Sequence, residues 1–349
     1  MFGISLGEIA FEKRGFRGGE GGMRDHIERI GRTFREGYHT ALDDGGPELS
    51  PKLDQVEVEF RGFSYEGAAM GLALLDHLTP WRRNRVQCFL RGAGEPHTYM
   101  VHVAIGWVMA RLPGSIEKTL TALDPLLRWL VLDGYGFHEG FFNWPRYLRG
   151  QPIPKRVTRI GSGAGVPTAT PGLSPAKDAG QMNDPRGQDS RQADETPALL
   201  CYAARAFDQG LGRSLWFVDG GDVARVRQTI AEFPEHRQAD LWSGIGLASV
   251  YAGAVNETAL NRLRGASGAF GPQLAQGAAF AAKARCRAGN PTTYTERACQ
   301  ALCGLSAVDA ATVTDAALEN LAASETEPAF EVWRRRIQEK FILGKELKR

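Results

Sequence analysis

A four-residue pattern recurs along this chain about every 35 residues: usually an apolar or aromatic residue, a variable one, Glu or Gln, then Gly. It reads Phe34-Arg35-Glu36-Gly37, Ser64-Tyr65-Glu66-Gly67, Phe137-His138-Glu139-Gly140, Phe207-Asp208-Gln209-Gly210 and Leu274-Ala275-Gln276-Gly277. Degenerate copies are Leu241-Trp242-Ser243-Gly244 and the Gly-less Met100-Val101-His102-Val103. The last positions, 37, 67, 103, 140, 210, 244 and 277, are separated by 30, 36, 37, 70, 34 and 33, the 70 being two periods. A fixed period of this length is the signature of stacked helical hairpins. It predicts an all-α fold of about seven or eight repeats, in an open superhelix or a closed α-toroid. Phe34 to Gly46 parallels Phe207 to Gly221, which points to internal duplication.

Glycine in a helix interior costs about 1 kcal/mol against Ala. Repeating that cost at equivalent points needs an offsetting gain, and close approach of two helix backbones supplies it. A phosphate-binding reading needs a strand before the glycine, and none is expected here.

The chain divides into a flexible leader (1–22), a first helical half (23–149), a disordered insertion (150–196), a second helical half (197–340) and a basic tail (341–349). The insertion is rich in Pro, Gly, Ser and Thr and has few large apolar residues to offset its ordering entropy. Within the first half, Gly134 and Gly136 are read as a break between a helix over 123–132 and another over 137–148. Asp222 is placed to cap the helix that follows it.

Net charge is +2, which gives no bulk electrostatic argument for nucleic acid. No window is long and apolar enough for a membrane span. The five scattered cysteines, with no secretory signal, read as reduced thiols, so the expected location is cytoplasmic. Trp333-Arg334-Arg335-Arg336 reads as a solvated basic face.

The residues before the aligned final positions are Glu36, Glu66, His102, Glu139, Gln209, Ser243 and Gln276. Stacked repeats line such residues along one face. Two readings follow. In the favoured one they are helix-to-helix hydrogen bonds that set register. In the other, Glu36, Glu66, His102 and Glu139 hold a metal, or Glu66, Glu139, His138 and Asp133 supply acid–base chemistry. The segment from Leu132 to Trp144 combines three titratable residues with five aromatics, which suits a pocket for a large apolar ligand. Arg111, Arg213 and Arg285 are candidate anion contacts, with ion pairing the simpler reading.

Three blocks carry a family resemblance: Tyr65 to Asp76, Asp133 to Gly140 and Phe207 to Phe217. They resemble the bacterial domain-of-unknown-function family 1702, whose members sit in gene clusters for enediyne polyketides, among other places. The resemblance spans about residues 24–148 and 197–340 and carries no catalytic residues to transfer. It implies specialised metabolism. The expected function is a tailoring or cyclising step on a large apolar polyketide or polyene. The alternative is a non-catalytic helical-repeat adaptor for another biosynthetic protein.

Overall fold

The computed structural model describes residues 3–46, 48–79, 81, 84–160, 189–321 and 327–346, and among these every regular element is a helix. The longer inner helices are α1 (Met23–Asp43), α2 (Val58–Leu78), α3 (Thr98–Arg111), α4 (Leu130–Leu148), α5 (Asp189–Val218), α6 (Glu235–Tyr251), α7 (Gly271–Arg287), α8 (Ala307–Ala316) and α9 (Ala329–Glu346). Each of α1 to α7 packs on the next, α7 packs on α8, and α9 closes over α7 and α8. In the second half the intervening helices Val223–Ala231, Glu257–Ala266 and Thr293–Cys303 pack on one another as an outer layer. Asp222, Asn256 and Thr292 cap them, each side chain accepting hydrogen bonds from the first turn.

Helix α1 is amphipathic, burying Ile27, Ile30, Phe34, Tyr38 and Ala41. Helix α2 is buried on every side from Gly62 to Leu74, as befits an element enclosed by others.

The glycines fix the spacing of the inner series. A Cβ on Gly37 would lie 2.0 Å from the Ser64 carbonyl oxygen, and one on Gly67 would lie 1.8 Å from that of Phe34. The same reciprocal arrangement joins Gly106 with Gly134, Gly136 with Gly210, Gly212 with Gly244, and Gly246 with Gly277. Helices α4, α5 and α6 therefore each carry a Gly-x-Gly step. Two residues rotate about 200° around a helix, so the first glycine meets the preceding helix and the second meets the following one. Backbone oxygens stand where any side chain would go, so only glycine permits these crossings.

Several expectations need correction. Gly134 and Gly136 do not separate two helices; they lie inside α4, where tertiary contact outweighs their poor helix propensity. A bend in α4 falls instead at Asn143, two residues before Pro145. The aligned positions Val103 and Gly140 are not the crossing points of α3 and α4; Gly106, Gly134 and Gly136 are. Residues 3–22 are not loose. Ile4, Phe11 and Phe16 are buried, and the Arg17 backbone N–H donates to the Val218 oxygen at 2.6 Å. In the expected insertion, Val157 and Ile160 are buried and Arg156 donates to the carbonyl oxygens of Met109, Leu112 and Gly114. Residues 161–188 lie outside the described residues, and 189–196 begin α5. Nor is the Trp333 to Arg336 run a solvated face: Arg334 is 0% exposed, bonded to Asp240 at 2.7 Å and Glu331 at 3.2 Å. No helix among the described residues is long and apolar enough to cross a membrane.

Candidate functional site

Helices of the first and second halves of the inner series touch across the interior. Arg285 on α7 donates to the carbonyl oxygens of Glu59 on α2 (2.9 Å) and Tyr251 on α6 (2.5 Å). His26 on α1 bonds the Ala252 oxygen at 2.6 Å. These contacts set α1 and α2 against α6 and α7, and an apolar chamber is lined by residues of α1 to α6.

That chamber holds about 60 Å³ of free interior space and opens to the surface on one side. Its wall is built from Phe34 on α1, Phe63 on α2, Trp107 on α3, Phe137 and Phe141 on α4 and Phe217 on α5. Ile4 and Ile9 of the N-terminal segment complete it. The rings are mutually braced: Phe34 to Trp107 at 4.9 Å between centroids, Trp107 to Phe137 at 5.3 Å, and Phe137 to Phe217 at 5.4 Å.

Three polar residues break this wall. Glu66 enters from α2, Arg213 from α5 and Tyr251 from α6, each at most 6% exposed. Gly62 lies one turn before Glu66, and a Cβ there would fall 1.9 Å from the Tyr251 hydroxyl. Its missing side chain lets the phenol reach α2. Arg213 is ion-paired with Asp133 and its guanidinium carbon lies 4.9 Å from the Phe137 ring centre. Its Nε has no hydrogen-bond partner, nor has the Tyr251 hydroxyl.

Burial pushes the Glu66 carboxyl up to about 7. The Arg213 cation opposes the rise, the Asp133 carboxylate adds to it, and the nearby Trp107 indole opposes it weakly. A carboxyl held near neutrality in an apolar chamber can give or take a proton at ordinary pH.

A second chamber, with about 30 Å³ of free interior space, lies on the other side of Arg213, Leu247 and Tyr251, which line both. Asp133 on α4 and Lys283 on α7 face it, among Tyr99, Met100, Phe280, Phe330 and Trp333.

The structure sorts the residues picked from sequence. Glu66 and Asp133 come together through Arg213. His138 and Glu139 do not join them. His138 accepts from Arg111 Nε at 3.2 Å, and its other ring nitrogen faces Glu139 Oε1 at 3.5 Å. Burial lowers the His138 pKa, which leaves the ring neutral near pH 7. Burial disfavours charge on Glu139, but His138 and hydrogen bonds from Tyr147 (2.9 Å) and Asn143 (3.3 Å) outweigh it and hold its pKa low.

The proposed metal set of Glu36, Glu66, His102 and Glu139 is not assembled. Glu36 is on the surface and His102 is buried with its Nδ1 2.7 Å from its own helix's Thr98 oxygen. Among the described residues no three His, Cys, Asp or Glu side chains are grouped to hold a metal ion. For Glu139 the reason is the alignment, since the residue before Gly134, the glycine of α4 that meets α3, is Asp133; Glu36 does precede a crossing glycine but points to the surface while Glu66 is buried.

With that shift, the polar row in the second half is a continuous ladder. Gln209 donates to Asp133 at 2.8 Å, Ser243 bonds Gln209 at 3.3 Å and Gln276 at 2.9 Å, and Arg334 reaches Gln276 at 3.3 Å. These are hydrogen bonds from helix to helix along the inner series. Of the three arginines, Arg111 is exposed over Phe142, Arg285 is spent on backbone oxygens, and only Arg213 faces the chambers. Tyr251, Trp107 and Gly62 were missed by sequence reading; no local motif marks them.

No curated protein and no solved structure matches this chain. A family model does match it, over residues 1–166 and 188–341, and the chain belongs to that family, described as a protein of unknown function (DUF1702).

Proposed function

We propose that this chain performs a tailoring or cyclising step on a large apolar polyketide or polyene, in enediyne-type specialised metabolism of a bacterium, and that the aromatic chamber is the site. The observation that carries the reading is a single carboxyl, Glu66, held near neutrality in a ring-lined space that it shares with the polar groups of Arg213 and Tyr251. In its neutral form Glu66 donates a proton to a basic oxygen of the ligand; in its ionised form it removes one from an acidic position. The faces of Trp107 and Phe137 favour any positive charge that develops beside them. The meeting of α1 and α2 with α6 and α7 supports reading the inner series as a closed α-toroid of about seven or eight hairpins around this chamber.

The test is product analysis by mass spectrometry in the producing organism. Glu66→Gln keeps size and hydrogen bonding but removes the titrating proton. It is expected to abolish the product and accumulate its precursor, while Glu139→Gln, whose partners are structural, keeps the product. Full product titre from Glu66→Gln would leave the adaptor reading in place of the enzymatic one.

A further inference from the structure

The two chambers share one partition, made by Arg213, Leu247 and Tyr251. Leu247 and Tyr251 are four residues apart and so stack on one face of α6, with Arg213 approaching from α5. Away from these three residues the first chamber is apolar except for Glu66, and the second except for Asp133 and Lys283. Two buried donors of these partition residues lack an acceptor: the Tyr251 hydroxyl, which lies against Gly62 of α2, and Arg213 Nε. Tyr251 is 3% exposed and Arg213 6%, so bulk water does not serve them. Leaving a buried polar group without a partner destabilises the fold, and a ligand oxygen that accepts from both donors relieves two such costs together.

We infer that the ligand is an elongated, two-armed molecule, apolar at both ends and bearing an acceptor oxygen near its middle, which lies across both chambers with that oxygen at the Arg213–Tyr251 waist. This rests on the reading of the chambers as the functional site. Arg213 is already neutralised by Asp133, so the acceptor is uncharged, a carbonyl or ether oxygen rather than a carboxylate. Glu66 borders the first chamber beside the waist, within reach of chemistry at or next to the oxygen-bearing carbon. The arms differ in their surroundings: one lies among the rings of α3, α4 and α5, the other among Met100, Phe280 and Trp333.

The test is calorimetric titration with simple ketones delivered from cyclodextrin. Dihexyl ketone has its carbonyl at the midpoint, methyl undecyl ketone is its isomer with the carbonyl at one end, and tridecane lacks the oxygen. Dihexyl ketone is expected to bind the intact protein about tenfold tighter than its isomer, and tridecane weakest. Ala284 lines only the second chamber, so Ala284→Phe is expected to weaken dihexyl ketone about tenfold. It should leave methyl pentyl ketone, short enough for the first chamber, unchanged. Equal binding of the two isomers to the wild-type protein overturns the two-armed inference, with or without a folded variant, and leaves the chamber reading standing. Failure of every ketone and of tridecane to bind overturns both.

Discussion

Glu66 is where the chain departs furthest from what a residue's surroundings normally allow. Its pKa is raised from 4.5 to about 7, so the folded state holds a proton that the unfolded state has released across that interval. Its contribution to stability is complete below pH 4.5, falls as pH rises through the interval, and is constant above it. The shift corresponds to roughly 3 kcal/mol. Glu66→Gln is therefore expected to match the wild-type melting temperature at pH 4.5 and to exceed it above pH 7, as read by thermal melts across pH. A variant less stable than wild type at pH 8 would contradict the buried neutral carboxyl. Sequence alone singled out Glu66 and Asp133 but could not separate them from Glu139. All three are acidic residues next to helical glycines, and only the three-dimensional approach of Arg213 and Tyr251 sets two of them apart. Tyr251 belongs to the site because Gly62 on a distant helix makes room for it, and nothing within either local sequence records that pairing.

At the scale of the element, glycine pairs decide which helices touch and where. A methyl at Gly210 would lie 1.7 Å from the Asp133 oxygen, in the backbone of α4, which cannot yield as a side-chain tip can. Gly210→Ala is expected to destabilise by about 3 kcal/mol or to prevent folding. Gly265, in the exposed helix Glu257–Ala266, meets nothing within 4 Å, so Gly265→Ala is expected to be neutral or stabilising by up to about 1 kcal/mol. Denaturant titration of the two variants separates a glycine kept for contact from one kept for nothing in the folded state. The repeat was legible because these contact glycines recur: Gly37, Gly67, Gly210, Gly244 and Gly277 were all found by spacing. The register slipped in α3 and α4, where Gly106, Gly134 and Gly136 do the work. A helix holding two glycines two apart looks like a helix end unless its neighbours on both sides are known.

For the whole molecule, the hydrogen-bonded ladder from Asp133 to Gln276 ends on Arg334, which ties α9 to the inner series. Arg334 also serves Asp240, which Arg205 holds at 2.9 Å, and Glu331. Arg334→Met leaves Asp240 and Glu331 buried with less compensation, and a loss of about 3–5 kcal/mol is expected by denaturant titration. A short basic run gave no sign of this, since Asp240 lies 94 residues away. The all-helical architecture followed from the period; the chambers did not, because they are space left between helices of the two halves, far apart in sequence. The central claim is that this space holds a carboxyl poised to exchange a proton. Carbon-13 NMR of protein labelled at the glutamate side-chain carboxyl tests it directly. The account predicts one resonance titrating near pH 7, absent from Glu66→Gln and shifted when dihexyl ketone is bound. A spectrum in which the Glu66 signal titrates near the ordinary 4.5, unmoved by the ketone, would contradict it.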